Sequence, residues 1–256
     1  MNNKLIKRVE KTHSLLCVGL DPENDIYDCY SVIEATNEYA ACYKMNFAFF
    51  LSKGEQAIKN LNALVKIVPD DIPIILDAKF GDIGNTSEHY AKFVFSQMNF
   101  DGVTVNPYMG EDAIIPFANY KDKMIFSLTS TSNPSAKQLQ HLSHPWNIHD
   151  NVAMTAARLA CKLGDNVGFV VGDPSSSYSM RQQFPNAWFL CPGVGAQGGD
   201  LAVFVKNGLN KDRTGLLINV GRGITLASRD VDGYMNKVKA MRENAKEYYS
   251  AINSFR

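Results

Sequence analysis

Ile72-Pro73-Ile74-Ile75-Leu76-Asp77-Ala78-Lys79-Phe80-Gly81-Asp82-Ile83-Gly84-Asn85-Thr86 is the stretch on which the reading of the fold turns. Its apolar first part, Ile72 to Leu76, reads as a buried strand with Pro73 near its start. Asp77 and Lys79 are two residues apart, so on a continuing strand they share one side. Asp82 sits in a glycine-flanked turn, and Asn85-Thr86-Ser87 with Glu88 offers N-cap chemistry for a following helix. A strand that ends in patterned charge and passes into a helix is a place where parallel α/β proteins gather catalytic groups.

Working outward, seven further short apolar runs read as strands: Leu15–Leu20, Cys42–Asn46, Gly102–Asn106, Met124–Leu128, Val167–Val171, Ala187–Cys191 and Gly215–Val220. Segments with helical spacing separate them. Residues 54–68 put Ala57, Ile58, Leu61, Leu64, Val65 and Val68 on one face. Residues 86–98, 111–120, 151–163 and 200–207 behave alike, and 230–252 reads as a long closing helix. Strands alternating with helices imply parallel pairing, and near-continuous apolar strands suit a sheet buried on both sides. Eight such units in 256 residues predict one closed (β/α)8 TIM barrel spanning 1–256, since that fold takes about 250 residues. The long irregular piece, 130–150, is sized for a functional loop.

Composition narrows the function. Lys plus Arg and Asp plus Glu both number 26, so the net charge is zero, which argues against nucleic-acid or anionic-membrane partners. The five cysteines are scattered, without a Cys-x-x-Cys pair, as expected of isolated thiols in a reducing compartment. The polar start, Met1 to Ser14, and the short apolar run after it fit neither a signal peptide nor a membrane span. A cytoplasmic protein is expected.

In a barrel, residues just after each strand share one rim. Here the rim takes Asp21-Pro22, Lys44 and Asn46 carried on the second strand, Asp77 with Lys79 and Asp82, Asn106-Pro107 at the end of the fourth, Thr129 to Ser132, Asp173-Pro174, Pro192 to Asp200, and Gly221-Arg222-Gly223. The last two loops are phosphate candidates, because glycine-rich turns expose N–H groups and Arg222 offers a fork of donors. His141, His144 and His149 cluster in sequence at a spacing that matches no standard metal site and read as solvated loop residues.

These residues resemble the orotidine 5'-phosphate decarboxylase family over nearly the whole chain. The most specific part is Asp-x-Lys-x-x-Asp-Ile-x-x-Thr at Asp77–Thr86. Supporting matches are Val18–Pro22, Lys44, Leu128–Ser135, the run from Pro192 to Gly199, and Gly221–Gly223. The resemblance implies a homodimer that converts orotidine 5'-phosphate to UMP and CO2 without cofactor or metal, in active sites shared between subunits. It implies a charged tetrad of Lys44, Asp77, Lys79 and Asp82, with Asp82 lent by the partner and Lys79 protonating C6. Asp21 and Thr86 would contact the ribose, Thr86 from the partner. Gln197 and Arg222 would hold phosphate, and Ile83, Pro192, Gly198 and Gly221 would complete the substrate site. Ser130 and Ser132 both suit the contact to the base; Ser132 is preferred because it precedes Asn133-Pro134. A metal-dependent sugar-phosphate decarboxylase or aldolase of the same superfamily would use an acidic residue on the second strand, where this chain has Lys44. A non-catalytic nucleotide-binding barrel is the alternative outside enzymes. At this chain length no fused orotate phosphoribosyltransferase domain is expected.

Overall fold

The computed structural model describes residues 2–22, 26–144, 147–193 and 201–256. Eight parallel strands close into a barrel: β1 (Leu16–Gly19), β2 (Cys42–Asn46), β3 (Ile74–Phe80), β4 (Gly102–Val105), β5 (Met124–Ser130), β6 (Val167–Val171), β7 (Phe189–Cys191) and β8 (Leu216–Val220). Each pairs with its sequence neighbour, and β8 closes on β1 through Leu16↔Ile218, Cys17↔Asn219 and Val18↔Val220. Every expected strand is present. Their apolar composition follows from burial on both faces: the residues of β1, β4 and β6 are all buried.

Two strands overrun their expected ends, and both carry an irregular register at the same rim. Strand β3 reaches Phe80, so Asp77 and Lys79 lie on the strand rather than after it. Its pairing with β4 jumps from Leu76↔Val103 to Phe80↔Val105, so three residues, Asp77 to Lys79, face one, Thr104. Strand β5 reaches Ser130, with a shift between Leu128 and Ser130 against β6. Bulges of this kind re-aim side chains and are common beside active sites. Directly after the β3 bulge, a Cβ on Gly81 would come within 2.7 Å of the Asn106 carbonyl oxygen, so only glycine lets the two strand ends approach.

The helical readings need several corrections. The helix after β3 is Gly84–Ala91, continued by a π-helical segment Lys92–Gln97 nearly to the expected end; its cap is Ile83, with no side-chain cap bond, so Asn85, Thr86 and Ser87 lie inside its first turn. The Asp82 carboxylate instead accepts from the Ile83 N–H at 2.7 Å, and the Ser87 hydroxyl donates to the Asp82 carbonyl at 2.8 Å. Residues 111–120 break into a 3-10 turn and the short helix Ile115–Ala118, which starts around Pro116. The closing helix is Tyr234–Phe255, capped by Gly233, which leaves Asp230 to Asp232 outside it. Helices Asn3–Thr12, Ile26–Thr36, Phe47–Leu51 and Pro174–Gln183 were not expected. The first has little apolar content: Leu5, Arg8 and Val9 are its buried residues, and its start is fixed by the Asn2 side chain accepting from the Lys4 and Leu5 N–H groups. In the long loop after β5, Pro134–Gln138 forms a 3-10 turn, and Ser143–His144 pairs with Asn147–Asn151 as a small antiparallel hairpin. Among the described residues no helix is long and apolar enough to cross a membrane.

Candidate active site

A cavity of about 600 Å³ opens at the C-terminal rim of the barrel, a size suited to a small ligand. Its charged wall is built by β2 and β3. The Asp77 carboxylate stands between two ammonium groups: Lys44 Nζ lies 2.8 Å from Oδ2 and Lys79 Nζ 2.6 Å from Oδ1. Lys44 and Asp77 are buried, whereas the Lys79 side chain is 46% exposed and reaches into the cavity. Thr104, from β4, donates from its hydroxyl to Asp77 Oδ1 at 2.8 Å. Asp21, just past β1, accepts the Asn46 N–H at 3.1 Å and lines the same cavity.

The opposite arc is apolar, made by Leu128, Val170 and Leu190 of β5, β6 and β7. Ser132, Pro192, Gly221 and Arg222 line the remaining rim. Arg222 starts the short helix Arg222–Thr225 directly after β8.

Electrostatics hold the cluster in its charged form. Burial alone would push the Asp77 carboxyl up, but the Lys44 and Lys79 ammonium ions override it and hold the group well below the usual carboxylate range. For Lys44, burial favours the neutral amine. The Asp77 and Asp21 carboxylates outweigh that and hold it above the usual lysine range. Lys79 carries a further peculiarity: its φ is +54°, in the left-handed region that bulky residues rarely occupy. Such strain persists where surrounding contacts enforce it, often at functional sites.

Of the residues singled out in sequence, Asp21, Lys44, Asp77, Lys79, Ser132, Pro192, Gly221 and Arg222 meet around this one cavity. Asp82, Ile83 and Thr86 do not line it within their own chain; Ile83 is exposed, and Asp82 and Thr86 are half-buried. Gln197 and Gly198 lie outside the described residues. Ser130 is buried beneath the rim, its hydroxyl 3.0 Å from that of Ser176, so of the two serines Ser132 faces the cavity. Asp173 serves as a turn-former: it accepts the Ser175 N–H at 3.0 Å and caps the helix Pro174–Gln183. Sequence reasoning missed Thr104, Asn219, Phe49 and the apolar arc. Thr104 and Asn219 carried a signal, each being a polar residue inside an otherwise apolar strand. Among the described residues no three His, Cys, Asp or Glu side chains converge as a metal site would require.

A parallel barrel with buried alternating charge at its catalytic rim defines the class: an α/β-barrel enzyme scaffold with preorganised electrostatics. Comparison with known proteins makes it specific. The sequence profile of the Orotidine 5'-phosphate decarboxylase / HUMPS family matches residues 14–234. An orotidine 5'-phosphate decarboxylase from Dehalococcoides mccartyi is 37% identical over 267 residues, covering 98% of this chain and 97% of that protein. The structure of Leishmania donovani OMP decarboxylase superposes with a TM-score of 0.86 at 37% identity, covering 99% of this chain and 97% of that one. That of Methanocaldococcus jannaschii orotidine 5'-monophosphate decarboxylase, complexed with the inhibitor BMP, superposes with a TM-score of 0.71 at 25% identity, covering 93% and 98%. The chain belongs to the orotidine 5'-phosphate decarboxylase family.

Proposed function

We propose that this protein is a carboxy-lyase that converts orotidine 5'-phosphate to UMP and CO2, the decarboxylation step of pyrimidine biosynthesis, with residues 1–256 acting as one barrel domain. The observation that carries the reading is the Lys44–Asp77–Lys79 chain of ion pairs facing a nucleotide-sized cavity in a member of this family.

Cleavage of the C6–carboxylate bond leaves its electron pair in an in-plane orbital at C6 that the pyrimidine ring delocalises poorly, while CO2 departs neutral. The barrier is therefore electrostatic. A fixed ammonium at Lys79, aimed at C6, stabilises charge where it develops and then gives C6 its proton, leaving an amine that solvent reprotonates. Asp77 keeps Lys79 in place and lies against the departing carboxylate, a repulsion that vanishes as CO2 forms. Lys44 keeps Asp77 ionised. We assign Asp21 to the ribose, Ser132 to the base, and Arg222 with Gln197 to the phosphate; Pro192, Gly198 and Gly221 complete the pocket. The phosphate, remote from C6, supplies binding energy to close loops around the substrate and exclude water.

We further propose a homodimer in which Asp82, Ile83 and Thr86 complete the partner's site. Ile83, Tyr108 and Met109 are exposed beside the catalytic rim, and an apolar groove lined by Pro107, Tyr108, Leu139, Leu142 and Val152 borders it. Reduced, scattered cysteines and balanced charge fit a cytoplasmic enzyme with neither nucleic acid nor membrane as partner.

The test is ultraviolet absorbance of orotidine 5'-phosphate on addition of the protein, with and without chelator. Turnover unaffected by chelation is expected. Chelator-sensitive turnover would favour a metal-dependent relative, and inertness a non-catalytic nucleotide-binding barrel.

A further inference from the structure

We propose that Thr104 is a positioning residue for decarboxylation: its hydroxyl locks the left-handed backbone of Lys79 and the Asp77 carboxylate into one rigid unit. The inference rests on the decarboxylase reading above and goes beyond it.

The bulge in β3 creates the need. Three residues, Asp77 to Lys79, face Thr104 alone, and the regular ladder resumes only where the Asn106 N–H donates to the Phe80 carbonyl at 2.7 Å. The Lys79 N–H thereby loses its place in the ladder at the edge of a buried site, where an unmade bond is costly. It donates to Thr104 Oγ1 at 3.0 Å instead. A hydroxyl carries one proton and two lone pairs. Because Oγ1 accepts from Lys79, its proton is free to point elsewhere, and it is given to Asp77 Oδ1 at 2.8 Å. Thr104 is 1% exposed, so water does not compete for either bond.

The two contacts act on different parts of the catalytic group. One fixes the main chain of Lys79 at φ +54°, which sets where its ammonium starts from. The other fixes Asp77 Oδ1, the same oxygen that Lys79 Nζ meets at 2.6 Å. Root and tip of the lysine are thus tied, directly or through Asp77, to a single hydroxyl. Its branched Cβ restricts χ1 and holds that hydroxyl in register.

Thr104→Val keeps the shape and removes both bonds; Thr104→Ser keeps the hydroxyl and removes a methyl. Steady-state kinetics with orotidine 5'-phosphate and thermal melts on all variants provide the test. Thr104→Val is expected to lower kcat by about tenfold to a hundredfold while leaving KM within about a factor of three, because the loss is of alignment rather than of substrate contacts. Thr104→Ser is expected to stay within about threefold of the parent in kcat. Thr104→Cys, close in volume and a weak hydrogen-bonding group, is measured alongside and is expected to follow Thr104→Val; it carries the test if the valine variant does not fold. A folded Thr104→Val with parental kcat overturns the proposal, as does a serine variant as impaired as the valine one, or a loss that appears mainly in KM. Parental protein inert towards orotidine 5'-phosphate would instead sink the underlying decarboxylase reading.

Discussion

Asp77 divides its two oxygens between two cations, and this sets how the site responds to substitution and to pH. Lys79 is its exposed partner and, in the mechanism proposed above, the group that meets the substrate. Lys79→Ala should lower kcat by about a thousandfold or more, because one ammonium supplies both the stabilising charge and the proton. Melting temperature should change little: alanine meets the same left-handed strain as lysine, and Asp77 keeps Lys44. Near-parental turnover would remove Lys79 from the mechanism. The pH dependence of stability follows from the Asp77 shift. Its folded carboxyl ionises below the unfolded value of about 3.9, so its contribution is complete above that value and is lost as pH falls through the folded one. Lys44 works in the opposite sense: it is held above the ordinary lysine value of about 10.4, so its contribution is complete below that and lost at higher pH. Urea unfolding at pH 6 and pH 3 should show a smaller acid loss in Asp77→Asn than in the parent. Equal losses would place the acid sensitivity elsewhere.

At the level of elements, periodicity found what burial imposes and missed what local geometry decides. The eight strands were legible because each is a short apolar run, as in Leu16 to Gly19 or Val167 to Val171. The bulge in β3 was not, because nothing in Asp77-Ala78-Lys79 marks a left-handed residue; the structure needs Thr104 opposite to sustain it. The charged half of the site could be read since Lys44, Asp77 and Lys79 stand out against apolar strands. Its apolar half, Leu128, Val170 and Leu190, looks like ordinary core until the strands close. The helix Pro174–Gln183 was missed for a related reason: its buried face is Ser177, Met180 and Arg181. Arg181 is 6% exposed and faces no carboxylate among its hydrogen-bond partners. It donates to the carbonyls of Phe184, Pro185, Ala187, Gly208 and Gly215, and its guanidinium lies 3.9 Å from the centre of the Phe189 ring. Burial pushes its pKa down to about 10, still well above neutrality, so the cation ties the N-terminal ends of β7 and β8 to the helix. Arg181→Met would strand these carbonyls and should cost about 3 kcal/mol in urea unfolding, with kcat of the folded fraction preserved because the catalytic rim lies at the other end of the barrel. A loss below about 0.5 kcal/mol would mean that water satisfies the carbonyls equally well.

For the whole molecule, the decisive placement is that of Asp82, Ile83 and Thr86, which belong to the family's motif yet stay out of their own cavity. Strand β3 explains why. Asp77 and Lys79 point inward from the bulge, whereas Gly81 packs against Asn106 and directs the chain outward before the helix Gly84–Ala91 begins. The motif therefore serves two directions: its first half faces the barrel, and its second half lies outside that cavity, where the proposed partner would meet it. If a two-fold partner receives that second half, two defective chains can repair one site between them. A chain with Asp82→Ala keeps Lys44, and a chain with Lys44→Ala keeps Asp82, so each mixed dimer holds one complete site and one doubly defective site. With equal amounts and random exchange, half of the dimers are mixed, and activity should return to about a quarter of the parental value. Each variant alone should be nearly inactive, and size-exclusion chromatography of both should report dimers. Subunit exchange is followed separately by tagging one chain. Demonstrated exchange without recovered turnover would show that each barrel completes its own site, and would require residues 82–86 to fold back over their own cavity when substrate binds.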